Sequence, residues 1–235
     1  MAKSGKNDPS ARERIRDAAE QVFATHGYEG ASMRLIADKA GVAQALLHYH
    51  FQNKATLHAA VFERRASTIN DTREQLLNDL LAANASPALE DVLNILFLPP
   101  STFGEEHRGD YGSFQQMVTA ISVGSDERSR ELMVRYYDGI ARRFIEAIRA
   151  AVPELTEKEA VWSYLFALGA RMQAQSKSDR AERLAAGKHD DEHKGVAPLL
   201  TAFVAAGIRG VARKPSPAGR KSAKPAKKSK VAIPV

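Results

Sequence analysis

Gln44, His48, Tyr49 and Lys54 are the polar side chains whose types and spacing best suit contact with a nucleic acid. A carboxamide such as Gln44 offers a donor and an acceptor together, the pair that matches the major-groove edge of adenine. His48 and Tyr49 can donate to phosphates or base edges, and Lys54 can clamp a phosphate. Ala45 and Leu46 stand between them as candidates for thymine methyl groups. Arg34, ten residues before Gln44, adds a cation that can meet the backbone.

Other chemistries find less support. His189, Asp190, Asp191 and His193 match no common closed metal site, and their Lys and Glu flanks read as a solvated connector, so no metal is expected. The chain has no cysteine, which excludes disulfides and thiolate zinc sites. No Ser-His-Asp arrangement, glycine-rich phosphate loop or HExxH pattern occurs, so neither an enzymatic activity nor a cofactor is expected. The carboxylates are scattered on polar faces and read as solvated.

The elements that must position these groups lie between Ser32 and Lys54. Ser32 can cap a short helix. Leu35, Ile36 and Ala40 then line one face, and Ala37 leaves room for a crossing helix. Gly41 stands where the chain reverses, a position that favours left-handed backbone angles. Val42 and Leu47 close the small core from the other side, and a second helix begins near Gln44. Small residue, glycine four residues on, then an apolar plug is the pattern of a helix-turn-helix, whose second helix enters the major groove. A helix in front begins at the capping box of Ser10 and Glu13, carries Ile15, Ala18, Ala19, Val22 and Phe23, and is expected to end at Gly27.

The residues Ile36-Ala37, Ala40-Gly41-Val42, Leu47, His48-Tyr49-His50-Phe51, Asn53-Lys54 and Leu57 resemble the DNA-binding segment of the tetracycline-repressor (TetR) family of bacterial transcriptional regulators. The resemblance reaches back to Ile15. It departs at Ala43, where the family commonly has a capping Ser or Thr, and at His48, where it usually has Tyr. It implies base and phosphate contact from Arg34, Gln44, Ala45, Leu46, His48, Tyr49 and Lys54. Tyr49, His50 and Phe51 can alternatively close the core of the head, and for Phe51, which has no polar handle, that is the expected role.

The remainder reads as all-α, with no sustained strand alternation. The division expected is a helix-turn-helix head over 1–53, a helical effector-binding and dimerisation body over 54–212, and a disordered Lys/Ala/Pro-rich tail over 213–235. Asn53 caps a long helix over 54–83. Ser86-Pro87 should start the next helix and Pro99-Pro100 stop it. Helices follow over 113–123 and 126–152. Thr156 and Glu159 form a second capping box. The last two helices, from there to 172 and over 196–211, are apolar on two sides, so one side needs a partner. A homodimer through Trp162, Phe166, Leu199, Leu200 and Phe203 is therefore expected, on a palindromic double-stranded operator. The polar stretch 176–194 connects the two helices.

The resemblance implies a small effector in the body. Phe97, Phe103, Tyr111, Phe114, Met117, Tyr137 and Phe166 are its candidate lining, with ordinary core as the alternative for each. The tail from Arg213 carries eight Lys/Arg and no acid; without them the formal charge falls from +6 to −2. Those charges either meet phosphates or stay solvated. No apolar run suits a bilayer span or an export signal, so a cytoplasmic location without membrane contact is expected. The function expected is a ligand-responsive, sequence-specific transcriptional regulator, a repressor released by its effector. The alternative is a weakly specific architectural DNA-binding protein driven by the tail.

Overall fold

A computed structural model describes residues 10–98, 111–175, 180–184 and 196–212. Within them the chain forms eleven α-helices and no strand: α1 Ala11–Gly30, α2 Met33–Ala40, α3 Gln44–His50, α4 Lys54–Ala83, α5 Leu89–Leu96, α6 Tyr111–Val123, α7 Glu127–Tyr136, α8 Asp138–Ala151, α9 Glu157–Ala174, α10 Arg180–Leu184 and α11 Val196–Ala212. The all-α expectation holds. Phe103, the 189–193 cluster and the tail lie outside the described residues.

The start signals read from the sequence act as expected at α1, α4 and α9, among others. Ser10 Oγ accepts from the Glu13 N–H while Glu13 accepts from Ser10 N–H, and Thr156 and Glu159 repeat the exchange at α9. Asn53 Oδ1 accepts from Thr56 N–H at 2.8 Å to open α4. Three boundaries differ. Gly27, at φ 66° and ψ 175°, interrupts α1, but helical backbone resumes as far as Gly30. Ser86 does not cap α5: its N–H is held by Asn84 Oδ1 at 2.9 Å, and Ala88 takes the cap position with no side-chain bond. The helix expected over 126–152 is divided at Tyr137. There Asn70 of α4 donates to the Tyr136 carbonyl, the acceptor that a continuous helix would offer to residue 140.

The apolar interior forms two clusters. One joins α1, α2 and α3 to the first half of α4 through Leu57, Val61, Phe62 and Ile69, and continues into Phe114, Met117 and Ile121 of α6 and Leu132 of α7. The other gathers Leu77, α5, α8, α9 and α11. The division expected between residues 53 and 54 therefore crosses one continuous core. Ion pairs reinforce it: Glu20 on α1 accepts from Arg65 Nε at 2.9 Å and Nη2 at 3.0 Å, and Asp17 pairs with Arg64 at 2.7 Å. Glu20 is almost fully buried, whereas the sequence pattern places carboxylates on solvated faces.

Candidate nucleic-acid interface

The turn before α3 is set by backbone chemistry. Gly41 lies at φ 64° and ψ 38°, its N–H and that of Val42 return to the Asp38 and Ala37 carbonyls, and the helix stops there. Ser32 Oγ caps the other end of α2, accepting from Leu35 N–H at 3.1 Å. Ala43 opens α3 with no side-chain cap. Ile36, Ala37, Ala40, Leu47 and Phe51 are all buried, and they hold α3 across α2. Leu35 does not join them; at 38% exposure it stands on the outer side of α2.

That packing turns the rest of α3 outward. Gln44, Ala45, Leu46 and His48 are exposed, and Tyr49 is 82% exposed. Tyr49 is thus no part of the head's core, while Phe51 is. His50 is half-buried, its ring 5.3 Å from that of Tyr49 and 6.4 Å from that of Phe51. Gln44 and His48 lie one turn apart on one face, and Tyr49 adjoins it. Arg34 is exposed and only loosely paired with Asp38 at 3.9 Å. The structure therefore brings Arg34, Gln44, Ala45, Leu46, His48 and Tyr49 to the outer surface of α2 and α3.

Lys54 is placed differently. Its ammonium donates to the carbonyls of Tyr28 at 2.8 Å, Ala31 at 3.0 Å and Glu29 at 3.5 Å, and lies 4.4 Å from the Tyr28 ring centroid. No basic residue occupies the last turn of α1, so Lys54 supplies donors to the end of α1 from the start of α4. The ammonium expected at a phosphate is engaged inside the protein.

Sequence reasoning missed the joint around Tyr28. The Arg128 guanidinium of α7 covers the same ring at 3.4 Å and pairs with Glu29 at 3.3 Å. His58 of α4 is buried among Phe23, Tyr28 and Phe62, with ring centroids 4.6 to 5.0 Å away. Burial, then the charges of Arg128 and Lys54, push its pKa down to about 4. An aromatic and a histidine 30 residues apart, and an arginine beyond them, leave no local sequence signal.

Among the described residues, the candidate effector positions are spread over several parts of the fold. Phe114 and Met117 belong to the first apolar cluster and Phe97 to the second. Tyr137 is half-buried at the α7–α8 break. Phe166 is 64% exposed on the outer side of α9, its ring 5.5 Å from that of Trp162. Tyr111 begins α6, and Phe103 lies outside the described residues. Of the candidate dimer residues, Trp162, Phe166, Leu199 and Phe203 stand out on α9 and α11, beside an apolar groove of about 220 Å³ lined in part by Ala167, Ala170 and Gly207. Leu200 is the exception: only 9% exposed, it packs into the second core cluster with Val204 and Ile208. Among the described residues no group of three or more His, Asp or Glu side chains could hold a metal, and no helix is long and apolar enough to cross a membrane.

Known proteins share both parts. Residues 15–61 match the sequence model of bacterial regulatory proteins of the tetR family, and residues 95–207 match that of the tetracyclin repressor-like C-terminal domain. Over 52 residues the chain is 42% identical to the HTH-type transcriptional activator FasR of Mycolicibacterium smegmatis, covering 22% of this chain and 24% of FasR. Over 69 residues it is 30% identical to the HTH-type transcriptional repressor AcnR of Corynebacterium efficiens, covering 29% and 37%. The chain thus spans well under half the length of either. The fold extends further than the sequence likeness. The fatty acid degradation regulator FadR of Bacillus halodurans superposes with TM-score 0.54 at 19% identity over 88% of this chain and 97% of that one. The TetR family regulator PfmR of Thermus thermophilus gives 0.53 at 17% identity over 83% and 97%. With an outward-facing second helix on a helix-turn-helix head, and with head and body both matched, the chain belongs to the TetR family of helix-turn-helix transcriptional regulators.

Proposed function

We propose that this protein is a repressor that binds a palindromic operator as a homodimer and releases it when a small effector enters the helical body. The observation that carries the reading is the exposure of Gln44, His48 and Tyr49 on a helix whose Leu47 and Phe51 close the core without them. Side chains left out of the core on a groove-entering helix are available to base edges and phosphates. Two copies joined through α9 and α11 would present two such helices, and an operator with matching half-sites would follow.

Effector response is supported by the continuity of head and body. Arg128 at the start of α7 holds Tyr28 and Glu29 of the head, and α6 packs into the head's core. A ligand that prefers one arrangement of the body would then bias the position of the head; equal affinity for both arrangements would shift nothing.

The test is binding to a selected operator against random duplex. A regulator should prefer its site by ~10³ or more at physiological salt. Gln44→Ala should relax preference at one position per half-site, at a cost of about 1–3 kcal/mol there. Equal affinity for selected and random DNA would instead favour the architectural reading, in which the basic tail dominates.

A further inference from the structure

Resting on the reading of α3 as the base-contacting helix, we propose that His48 is a specificity-determining residue that accepts a hydrogen bond from an exocyclic base amine, adenine N6 or cytosine N4, through a bare Nε2. The helix stops at His50, and the chain bends through Phe51 and Gln52 before Asn53 opens α4. That bend returns the Gln52 carbonyl to the His48 ring, with 3.3 Å between its oxygen and Nδ1. A carbonyl oxygen only accepts, so Nδ1 carries the proton. A neutral imidazole has one N–H, and Nε2 is left as a lone pair. The same bond orients the ring, and because His48 is exposed, Nε2 is free of the core.

A lone pair discriminates among bases. In the major groove, adenine N6 and cytosine N4 are donors, while guanine presents O6 and N7, and thymine O4, as acceptors. An Nε2 acceptor therefore rewards an amino base on the strand it faces and meets guanine or thymine acceptor against acceptor. Gln44, one turn earlier on the same face, carries both a donor and an acceptor and so reads by a different rule. The two side chains divide the work: the amide fixes one position by a paired contact, and the imidazole separates amino from keto bases at a neighbouring one.

The experiment selects binding sites from a random duplex pool at about pH 8. It uses the full-length wild type and the variants His48→Ala and His48→Arg. The wild type should enrich adenine or cytosine at one position per half-site, and the base recovered there says which amine is read. His48→Ala should lose that preference alone. His48→Arg, a donor with no acceptor, should turn the position to guanine through O6 and N7. Replacing the recovered adenine by purine, or cytosine by 2-pyrimidinone, removes the amine. This should weaken the wild type about three- to tenfold, the worth of one neutral hydrogen bond, and leave His48→Ala unmoved. Unchanged thermal melting of the exposed variants keeps a folding defect apart from a reading defect. A keto base at the position that His48→Ala alters, or a consensus that His48→Ala does not alter at all, overturns this assignment while the regulator reading stands. Failure of the wild type to select any consensus overturns both.

Discussion

His58 shows how much one buried side chain can set the acid response of this head. It lies among three aromatic rings, its Nδ1 finds no hydrogen-bond partner among the described residues, and Arg128 and Lys54 oppose a positive charge there, with Asp126 a weaker counterweight. Its folded pKa is therefore depressed, from 6.5 to about 4. The sign follows: as pH falls below 6.5 the unfolded chain binds a proton that the folded chain refuses, so stability drops until the folded ring also titrates near 4. The loss over that window is about 3 kcal/mol. His58→Leu should be flatter than the wild type by that amount between the two pH values in denaturant titrations, and equal slopes would show that His58 does not carry the effect. None of this was legible from the sequence, because a histidine four residues past Lys54 gives no sign of its neighbours. The partners of Lys54 and Glu20 were hidden for the same reason. A charge reads as solvated until the structure shows what it meets: for Lys54 three carbonyls at the end of α1, for Glu20 the Arg65 fork.

At the scale of elements, the helix-turn-helix was legible because its signals are local. Ser32, Ala37, Gly41 and Leu47 each do what their chemistry requires within a few residues, and the turn closes on its own backbone. Gly41 tests this directly. A Cβ added there would meet nothing within 4 Å, so only the positive φ opposes a side chain. Gly41→Ala should cost about 1–2 kcal/mol, and Gly41→Asn less, since Asn tolerates the left-handed region. Ala43→Ser should act in the other direction. Ala43 has the extended backbone of a cap residue, at φ −63° and ψ 140°, but no oxygen to offer. A serine there should add about 0.5–2 kcal/mol without moving α3. Chemical denaturation of the three variants checks both, and an Ala43→Ser protein no more stable than the wild type would show that the exposed first turn is already satisfied by water. The α7–α8 break was not legible, because the competitor for the Tyr136 carbonyl is Asn70, 66 residues away. Nor was the outward turn of Leu35. Leu35 and Ile36 are adjacent, and periodicity alone does not say which of two neighbouring apolar residues faces the core.

Over the whole molecule, the same ambiguity bears on assembly. Two apolar sides on α11 were evident from Leu199/Phe203 and Leu200/Val204/Ile208, but not which side faces inward. The structure decides it: Leu200, Val204 and Ile208 face inward toward α5 and α9, while Leu199 and Phe203 are 69% and 72% exposed. Trp162, Leu165 and Phe166 of α9, at 49%, 45% and 64%, add to this exposed apolar face, and Phe166 and Phe203 both line the α9–α11 groove. An isolated molecule rarely leaves such a face in water, and a second copy of the same face is the partner of the dimer proposed above. Glutamate at Phe203 and at Leu200 should then give different failures. In a two-fold dimer Phe203→Glu would place a carboxylate in the interface twice, and an unpaired buried charge costs about 3–5 kcal/mol. The variant should sediment as a folded monomer at micromolar concentration, with unchanged helix content and weakened operator binding, because each half-site would then be met by a separate chain. Leu200→Glu buries its charge inside one subunit, so it should lower the melting temperature of the subunit itself. A Phe203→Glu protein that remains a dimer would remove α9 and α11 as the interface. A wild type that sediments as a monomer would remove the dimer.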